Sequence, residues 1–476
     1  MSKGKTSYDV IVVGGGIAGL GVAAIVSAET GRKVLVLERF PMTGGRMMSY
    51  EGLPEEGWRI DTGLHFVELG EKSCCTALNA RVGKEVAWAP FSESVDIWNG
   101  ETFVNIAELV PMTKEDRNAF AGILAGISKM IDGDIELWDN RSFEEWMTEH
   151  IPQPAVREVF TDLGMIMTTI SNAIDMAAGE VLYIARENLR KTRQVLQASY
   201  PVDGMEGITR GLVEAILENG GEIRTHCEVQ EVLIENGRAA GVRVPSKIHP
   251  YQEEFRIMET ESLLADRVVC ALPIYSLSRI IDFDPRTSPL PRWWLKRITD
   301  IRNEITGLVG FMIGLAEPVV DPGKRCFLTA LKTKHAGLPF QAFPASNFSD
   351  RVAPPGKQLL HTDIVCEHAD ASDKFKRERI LNLLWKDVKE MFPGIERKLE
   401  WKLPYYVDGC DGLARQPGLV GNFKPALKAP GIPNLYFAGD TWLGRGLAIN
   451  SAARSAMTCA DLILDDLRRA YGDIIP

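Results

Sequence analysis

Apolar positions along the chain follow two rhythms. Val10–Val13 is continuously apolar and β-branched, and it runs into three glycines, Gly14 to Gly16. Small and apolar residues then continue from Ile17 to Glu29. A short apolar run that stops on glycine predicts a buried parallel strand, and the segment behind it a helix closed by Gly31. Lys33–Glu38 ("KVLVLE") predicts a second strand, so the chain opens on one βαβ unit. "RFPMTGGRMMSYEG" after Glu38 reads as a loop rather than a third strand, and Trp58–Phe66 as a strand and turn. From about Thr113 to Arg193 the spacing is helical, with breaks near Ile151–Pro154 and Ser171–Asn172. One helical face there is rich in Met and Ile: Met165, Ile166, Met167, Ile170, Met176.

At Pro201 the rhythm changes again. "GMEGITRGLVEAILENGGEI" predicts a turn and helix ending at Gly220–Gly221. "EVQEVLIENGRAAGVRV" predicts a hairpin turning on Asn236–Gly237, and "ADRVVCALP" (Ala265–Pro273) another buried strand. "GLVGFMIGLAEPVV" (Gly307–Val320) predicts a core strand pair, because Glu317 and Pro318 interrupt it before the ~20 residues of a membrane span. "NLYFAGD" (Asn434–Asp440) is a strand stopping on Gly439–Asp440, and a long helix closes the chain. Cofactor-type signals thus sit in three separated segments, with two insertions between them.

Composition narrows the class. At 476 residues the chain exceeds one compact core, and 45% hydrophobic with 25% charged residues is ordinary for a soluble protein. A net charge of −10 excludes a general nucleic-acid binder. Eight cysteines form no CxxC pair, and adjacent Cys74 and Cys75 suit neither a disulfide nor zinc. The expectation is reduced, buried thiols, no metal site and a cytoplasmic protein. The short polar start "MSKGKTSYD" has no signal-peptide character.

The glycines carry the chemistry. Gly14, Gly16 and Gly19 fit G-x-G-x-x-G: the first for the tight turn, the second for close approach of a pyrophosphate, the third for helix–strand packing. Glu38 follows at the end of the second strand, placed to accept both hydroxyls of an adenosine ribose, and an acid there favours FAD or NAD over NADP. The alternative is a tight βα turn with no ligand. Gly44, Gly45 and Arg46 just past that strand let backbone and guanidinium meet the pyrophosphate or the isoalloxazine edge, which an NAD dehydrogenase does not need. Asp440 is placed for ribityl hydroxyls, with the helix behind it aimed at the flavin; its plain alternative is a helix cap.

Together "VIVVGGGIAGL…VLVLER…GGR…IDTG", the middle segment through "AAGV", "ADRVVCALP" and "NLYFAGD" resemble the flavin-containing amine oxidase and phytoene desaturase superfamily, closest to its phytoene desaturase-like branch. The resemblance implies an α/β fold with a Rossmann-type, glutathione reductase-like FAD-binding domain (1–70, 201–273 and 426–476). A mixed α+β substrate domain would take 71–200 and 274–425, with a helical part at about 113–193. It implies an enzyme with non-covalent FAD, since no cysteine lies in the terminal FAGD segment, and Val229 at the position whose backbone contacts adenine. The activity it implies is dehydrogenation or desaturation of a mainly apolar or cyclic substrate by hydride transfer, with oxygen, a quinone or another carrier as electron acceptor.

Three further residues come from the same resemblance. His65 lies just after the turn placed near the flavin and is a candidate base, or a packing histidine. Trp442 and Arg445, in "TWLGRG", fall where the flavin face is expected: Trp442 as a wall, Arg445 as a carboxylate or carbonyl ligand, or else a loop arginine paired with an acid. The Met/Ile helix lines an apolar pocket or simply packs. Trp293 and Trp294 beside "LKR" keep open a weak peripheral contact with a membrane. Competing activities are an amine oxidase releasing hydrogen peroxide, a redox-neutral isomerase using reduced flavin, and a non-catalytic flavin-binding partner.

Overall fold

The computed structural model describes residues 7–63, 65–92, 95–170, 172–246, 259–407 and 409–471. The first six residues and Ser171, which figured in the sequence reading, lie outside them.

The opening unit forms as its glycine-bounded pattern dictates: β1 (Ser7–Val13), α1 (Ile17–Thr30) and β2 (Val34–Leu37). Both strands are apolar because α1 and other elements cover them, and Val10 to Val12 and Val34 to Val36 are fully buried. Around β1 a seven-stranded sheet runs in the order Glu222–Arg224, β2, β1, Thr260–Cys270, Arg238–Pro245, Glu231–Glu235, and Leu435–Phe437 pairs with Thr260–Cys270. The strand Thr260–Cys270 does two jobs. Its last residues pair in parallel with β1 and Leu435–Phe437, in the register Val13↔Cys270↔Phe437. Its first residues pair antiparallel with the hairpin strand Arg238–Pro245. That hairpin turns on Asn236 and Gly237, both at positive φ, as a type I′ turn requires. The parallel strands end together, so Gly14, Leu37, Ala271 and Ala438 collect at one edge, where open α/β sheets bind ligands.

A second seven-stranded sheet is almost entirely antiparallel, in the order Leu399–Val407, Thr306–Leu315, Gln358–Glu367, Phe340–Pro344, Phe327–Ala330, Val95–Trp98, Phe103–Asn105. The apolar run at Gly307 is one strand, Thr306–Leu315, and not the pair read from the sequence. From Gly307 on it carries no polar side chain and is buried throughout, because it is a central strand paired with Gln358–Glu367 on one side and Leu399–Val407 on the other. The helical stretch is built of Lys114–Lys129, Asp132–Glu136, Phe143–His150, Pro154–Thr168 and Ala178–Thr192. Capping boxes at Thr113/Asp116 and Ser142/Glu145 start two of them. Among the described residues no helix is long and apolar enough to cross a membrane, and no group of His, Cys, Asp and Glu is arranged to hold a metal. The eight thiols are free; seven are buried and Cys410 is half-buried.

Candidate active site

One cavity of about 500 Å³ starts at the ends of the parallel strands and reaches the second sheet and the helix Pro154–Thr168. Its first limb is built on backbone. Gly14 sits at φ +106, and a side chain there would meet the Ala271 carbonyl at 2.7 Å. Gly19 packs α1 onto the same turn, where an added Cβ would lie 2.0 Å from the Gly14 carbonyl oxygen. Gly16 differs from both. Its backbone is extended, and the nearest atom to an added Cβ is Gly45 Cα at 3.9 Å, because the position faces the cavity. Gly16 caps α1 with no side-chain hydrogen bond and no acid in the first turn, which leaves the helix N–H groups and dipole for an anion.

The second glycine pair locks onto the first. The Gly44 N–H donates to Gly15 O at 2.8 Å, and Gly16 and Gly44 form a parallel bridge. Glu38, 6% exposed, accepts from the Gly15 N–H at 2.7 Å and the Phe40 N–H at 2.9 Å, one on each oxygen. Each oxygen keeps a second lone pair for a hydroxyl in the cavity. The Cys227 N–H donates to Glu38 O at 2.8 Å and brings Val229 to the same wall. Arg46 crosses to the far end of the chain: Nη2 donates to Asp440 Oδ2 at 2.6 Å and Nη1 to Gly409 O at 2.7 Å. All the candidate cofactor residues line the cavity except Gly19, which packs behind it. An uncapped helix end, a glycine whose missing side chain opens the wall and a carboxylate with free lone pairs fit a dinucleotide with a pyrophosphate.

The second limb is mostly apolar, with Phe66, Ile166, Leu308, Phe327, Val365 and Leu447 among its walls. Of the Met/Ile helix face, Ile166 lines the cavity, while Met165, Met167 and Met176 pack in the helical core. His65 reaches this wall, but both its ring nitrogens are engaged. Nε2 meets Asp363 Oδ2 at 3.0 Å and the Tyr405 hydroxyl at 2.7 Å, and Nδ1 meets His361 Nδ1 at 2.8 Å. The Tyr405 hydroxyl also donates to Asp363 Oδ1. Between two Nδ1 atoms one ring must donate and the other accept. Burial holds the Asp363 carboxyl above the usual carboxylate range, and holds His361 well below the usual histidine value with His65 beside it. Accepting a proton from a ligand would cost His65 one of these bonds.

Trp442 and Arg445 do not face the cavity, so neither takes the flavin-face position; Arg445 instead takes its alternative, a loop arginine paired with an acid. Trp442 is fully buried, stacked on Phe437 (ring centroids 4.1 Å apart) and Trp294 (6.4 Å), and its Nε1–H donates to Leu272 O at 3.1 Å. Arg445 forms a two-pronged pair with buried Asp139, with Nη1–Oδ1 at 2.9 Å, and lies 3.8 Å from Glu180. A planar guanidinium finds its geometric match in a carboxylate, so this arginine ties the C-terminal loop to the helical insertion. The Trp293–Trp294 pair also splits: Trp294 is core, and Trp293 is 66% exposed.

Glu68 was missed by the sequence reading. It lies on the cavity wall, 3% exposed, in a short strand Val67–Glu68. Burial pushes its carboxyl up to about 7. The signal in the sequence was an acid inside the apolar run "LHFVEL", a pattern that also fits an ordinary strand edge.

Comparison with known proteins gives a consistent neighbourhood. The family model for flavin containing amine oxidoreductase matches residues 17–464. Chloroplastic prolycopene isomerase from Daucus carota is 26% identical, over 97% of this chain and 80% of its own. All-trans-retinol 13,14-reductase from Danio rerio is 23% identical, over 98% of this chain and 87% of its own. The crystal structure of an oxidoreductase from Methanosarcina mazei superposes with a TM-score of 0.74 at 20% identity, covering 95% of this chain and 100% of the other.

Proposed function

The chain belongs to the flavin containing amine oxidoreductase family and is an FAD-dependent oxidoreductase of the amine oxidase and phytoene desaturase superfamily; on that premise we propose that it dehydrogenates a carbon–carbon bond of a mainly apolar or cyclic substrate. The observation that carries this reading is the single cavity joining the glycine-built limb to an apolar limb. Bound FAD supplies a two-electron hydride acceptor.

The chain's own residues do the rest. The backbone around Gly14, Gly16, Gly44 and Gly45 cradles the pyrophosphate, Glu38 holds the adenosine ribose, and the Val229 backbone meets adenine. Asp440, oriented by Arg46, takes ribityl hydroxyls. Phe66, Ile166 and Phe327 exclude water from the reacting end. His65 braces that wall through Asp363, Tyr405 and His361. We assign residues 1–70, 201–273 and 426–476 to the FAD-binding domain, and 71–200 and 274–425 to the substrate domain. Relatives named for prolycopene and all-trans-retinol support an apolar, unsaturated substrate. Oxygen, a quinone or another carrier takes the electrons on.

A redox-neutral isomerase is the second reading, favoured by the similarity to a prolycopene isomerase over 97% of this chain. Anaerobic mixing of the FAD-loaded enzyme with polyenes, cyclic ketones and amines separates the readings. Bleaching of the flavin by a polyene or cyclic ketone supports dehydrogenation. Turnover only after prior reduction, with no net electron transfer, favours isomerisation. Hydrogen peroxide release with a simple amine overturns both.

A further inference from the structure

Dehydrogenation moves a proton as well as a hydride, and the cavity wall has few groups free to take it. Glu38 lies in the glycine-built limb, where it is assigned to the adenosine ribose, Asp440 is held by Arg46, Asp411 by Arg415, and both His65 nitrogens by buried partners. Glu68 is different. Its carboxyl is met by neutral donors, Asn188 Nδ2 on Oε1 and Asn450 Nδ2 on Oε2 at 3.3 Å, with the Leu447 N–H adding a third. The Asn450 amide also donates to the Glu68 carbonyl at 2.9 Å.

The orientation of both amides is fixed from behind. Asn188 Oδ1 accepts from the Gln197 N–H at 2.9 Å, and Asn450 Oδ1 accepts from the Cys74 N–H at 2.8 Å. Neither amide can flip without stranding a backbone donor, so only N–H groups face the carboxylate. When Glu68 is protonated its O–H has no acceptor among these partners, and the cavity is the side left to it. The ionisable groups bearing on it are Arg415, itself gripped by Asp411 with Glu180 at 4.0 Å, and the buried Cys74 thiol. Burial raises this carboxyl to about 7, and the neutral donors together with Arg415 offset only part of the desolvation.

We propose, resting on the dehydrogenase reading, that Glu68 is the catalytic residue that exchanges the substrate proton, and that Asn188 and Asn450 are its positioning residues. In the dehydrogenating direction the Glu68 carboxylate takes a proton from one substrate carbon. The electron pair of that C–H bond becomes the new π bond, and hydride leaves the neighbouring carbon to FAD. Glu68 then releases the proton to water.

Infrared titration of the FAD-loaded enzyme tests this without any substrate. Because burial also pushes the Asp162 carboxyl up to about 7, the titration is run in an Asp162→Asn background. There a protonated-carboxyl band with a midpoint at about 7 is expected with Glu68 present and not in Glu68→Gln; no such band, or its persistence in the variant, overturns the proposal. Asn188→Leu removes a donor to the charged form while leaving the carboxyl, so the midpoint moves to higher pH; an unmoved midpoint counts against the assignment. With any substrate that bleaches the wild type anaerobically, Glu68→Gln keeps its FAD and slows reduction by ~10²–10⁴-fold. Equal rates overturn the role of Glu68. A panel that bleaches neither protein overturns the dehydrogenase reading instead, and the infrared band still decides Glu68.

Discussion

Gly16→Val and Gly19→Ala touch the same loop and are expected to fail for opposite reasons. At Gly16 the backbone is extended and an added Cβ meets nothing nearer than 3.9 Å, so the apoprotein tolerates valine. The cost is that of a poorer helix cap, ~0.5–1 kcal/mol. The new methyl groups stand in the cavity, between the N–H groups of α1 and the pyrophosphate. Losing two charge-assisted hydrogen bonds at ~1.5–3 kcal/mol each weakens FAD binding by ~3–6 kcal/mol, or ~10²–10⁴-fold. At Gly19 the added methyl would lie 2.0 Å from the Gly14 carbonyl and 3.1 Å from Ala271 Cβ, so α1 must lift off the sheet. Overpacking of that kind costs ~1–3 kcal/mol or more in the apoprotein itself. The assay is FAD content and affinity by flavin fluorescence, beside urea unfolding of each apoprotein. A yellow, fully loaded Gly16→Val protein refutes the reasoning, as does an apo Gly16→Val less stable than apo Gly19→Ala.

Other substitutions probe the rest of the site. Arg445→Met leaves Asp139, 1% exposed, without its partner and should cost ~3–5 kcal/mol in urea unfolding; Asp139→Leu on the same background should recover most of it. His65→Ala should spare FAD, measured as flavin content, but destabilise the fold by ~1–3 kcal/mol because buried Asp363 and His361 each lose a hydrogen-bond partner. Glu68 gives a pH signature. Its carboxyl titrates at about 7 in the fold against an ordinary 4.5, so between those values the folded state holds a proton the unfolded state has released. Stability therefore falls as pH rises through that window, and Glu68→Gln should gain up to about 3 kcal/mol over wild type above neutrality and nothing well below 4.5. Urea midpoints at acid and alkaline pH check it; a gain independent of pH would refute the linkage.

The cofactor limb was legible in the sequence because it is built from local backbone. A strand, a glycine turn and a helix end lie within a few residues of each other, and glycine is required wherever φ is positive or a phosphate must reach the main chain, as at Gly14 and Gly16. Glu38 is readable for the same reason, since its distance along the chain is set by one helix and one strand. The substrate limb is different. Trp442 and Arg445 stand next to Asp440 in the sequence but point into the core and toward Asp139, because stacking on Phe437 and pairing across the fold decide where a side chain goes. Glu68 depends on Asn188 and Asn450, its partners from two distant helices, and its altered acidity exists only where burial and those amides coincide. Sequence alone determined the parallel-sheet core and the shape of the glycine loop, since backbone geometry is a local property. Which acid and which histidine meet at the apolar end was decided by tertiary packing, since desolvation and hydrogen-bond saturation belong to the assembled wall and to no single segment.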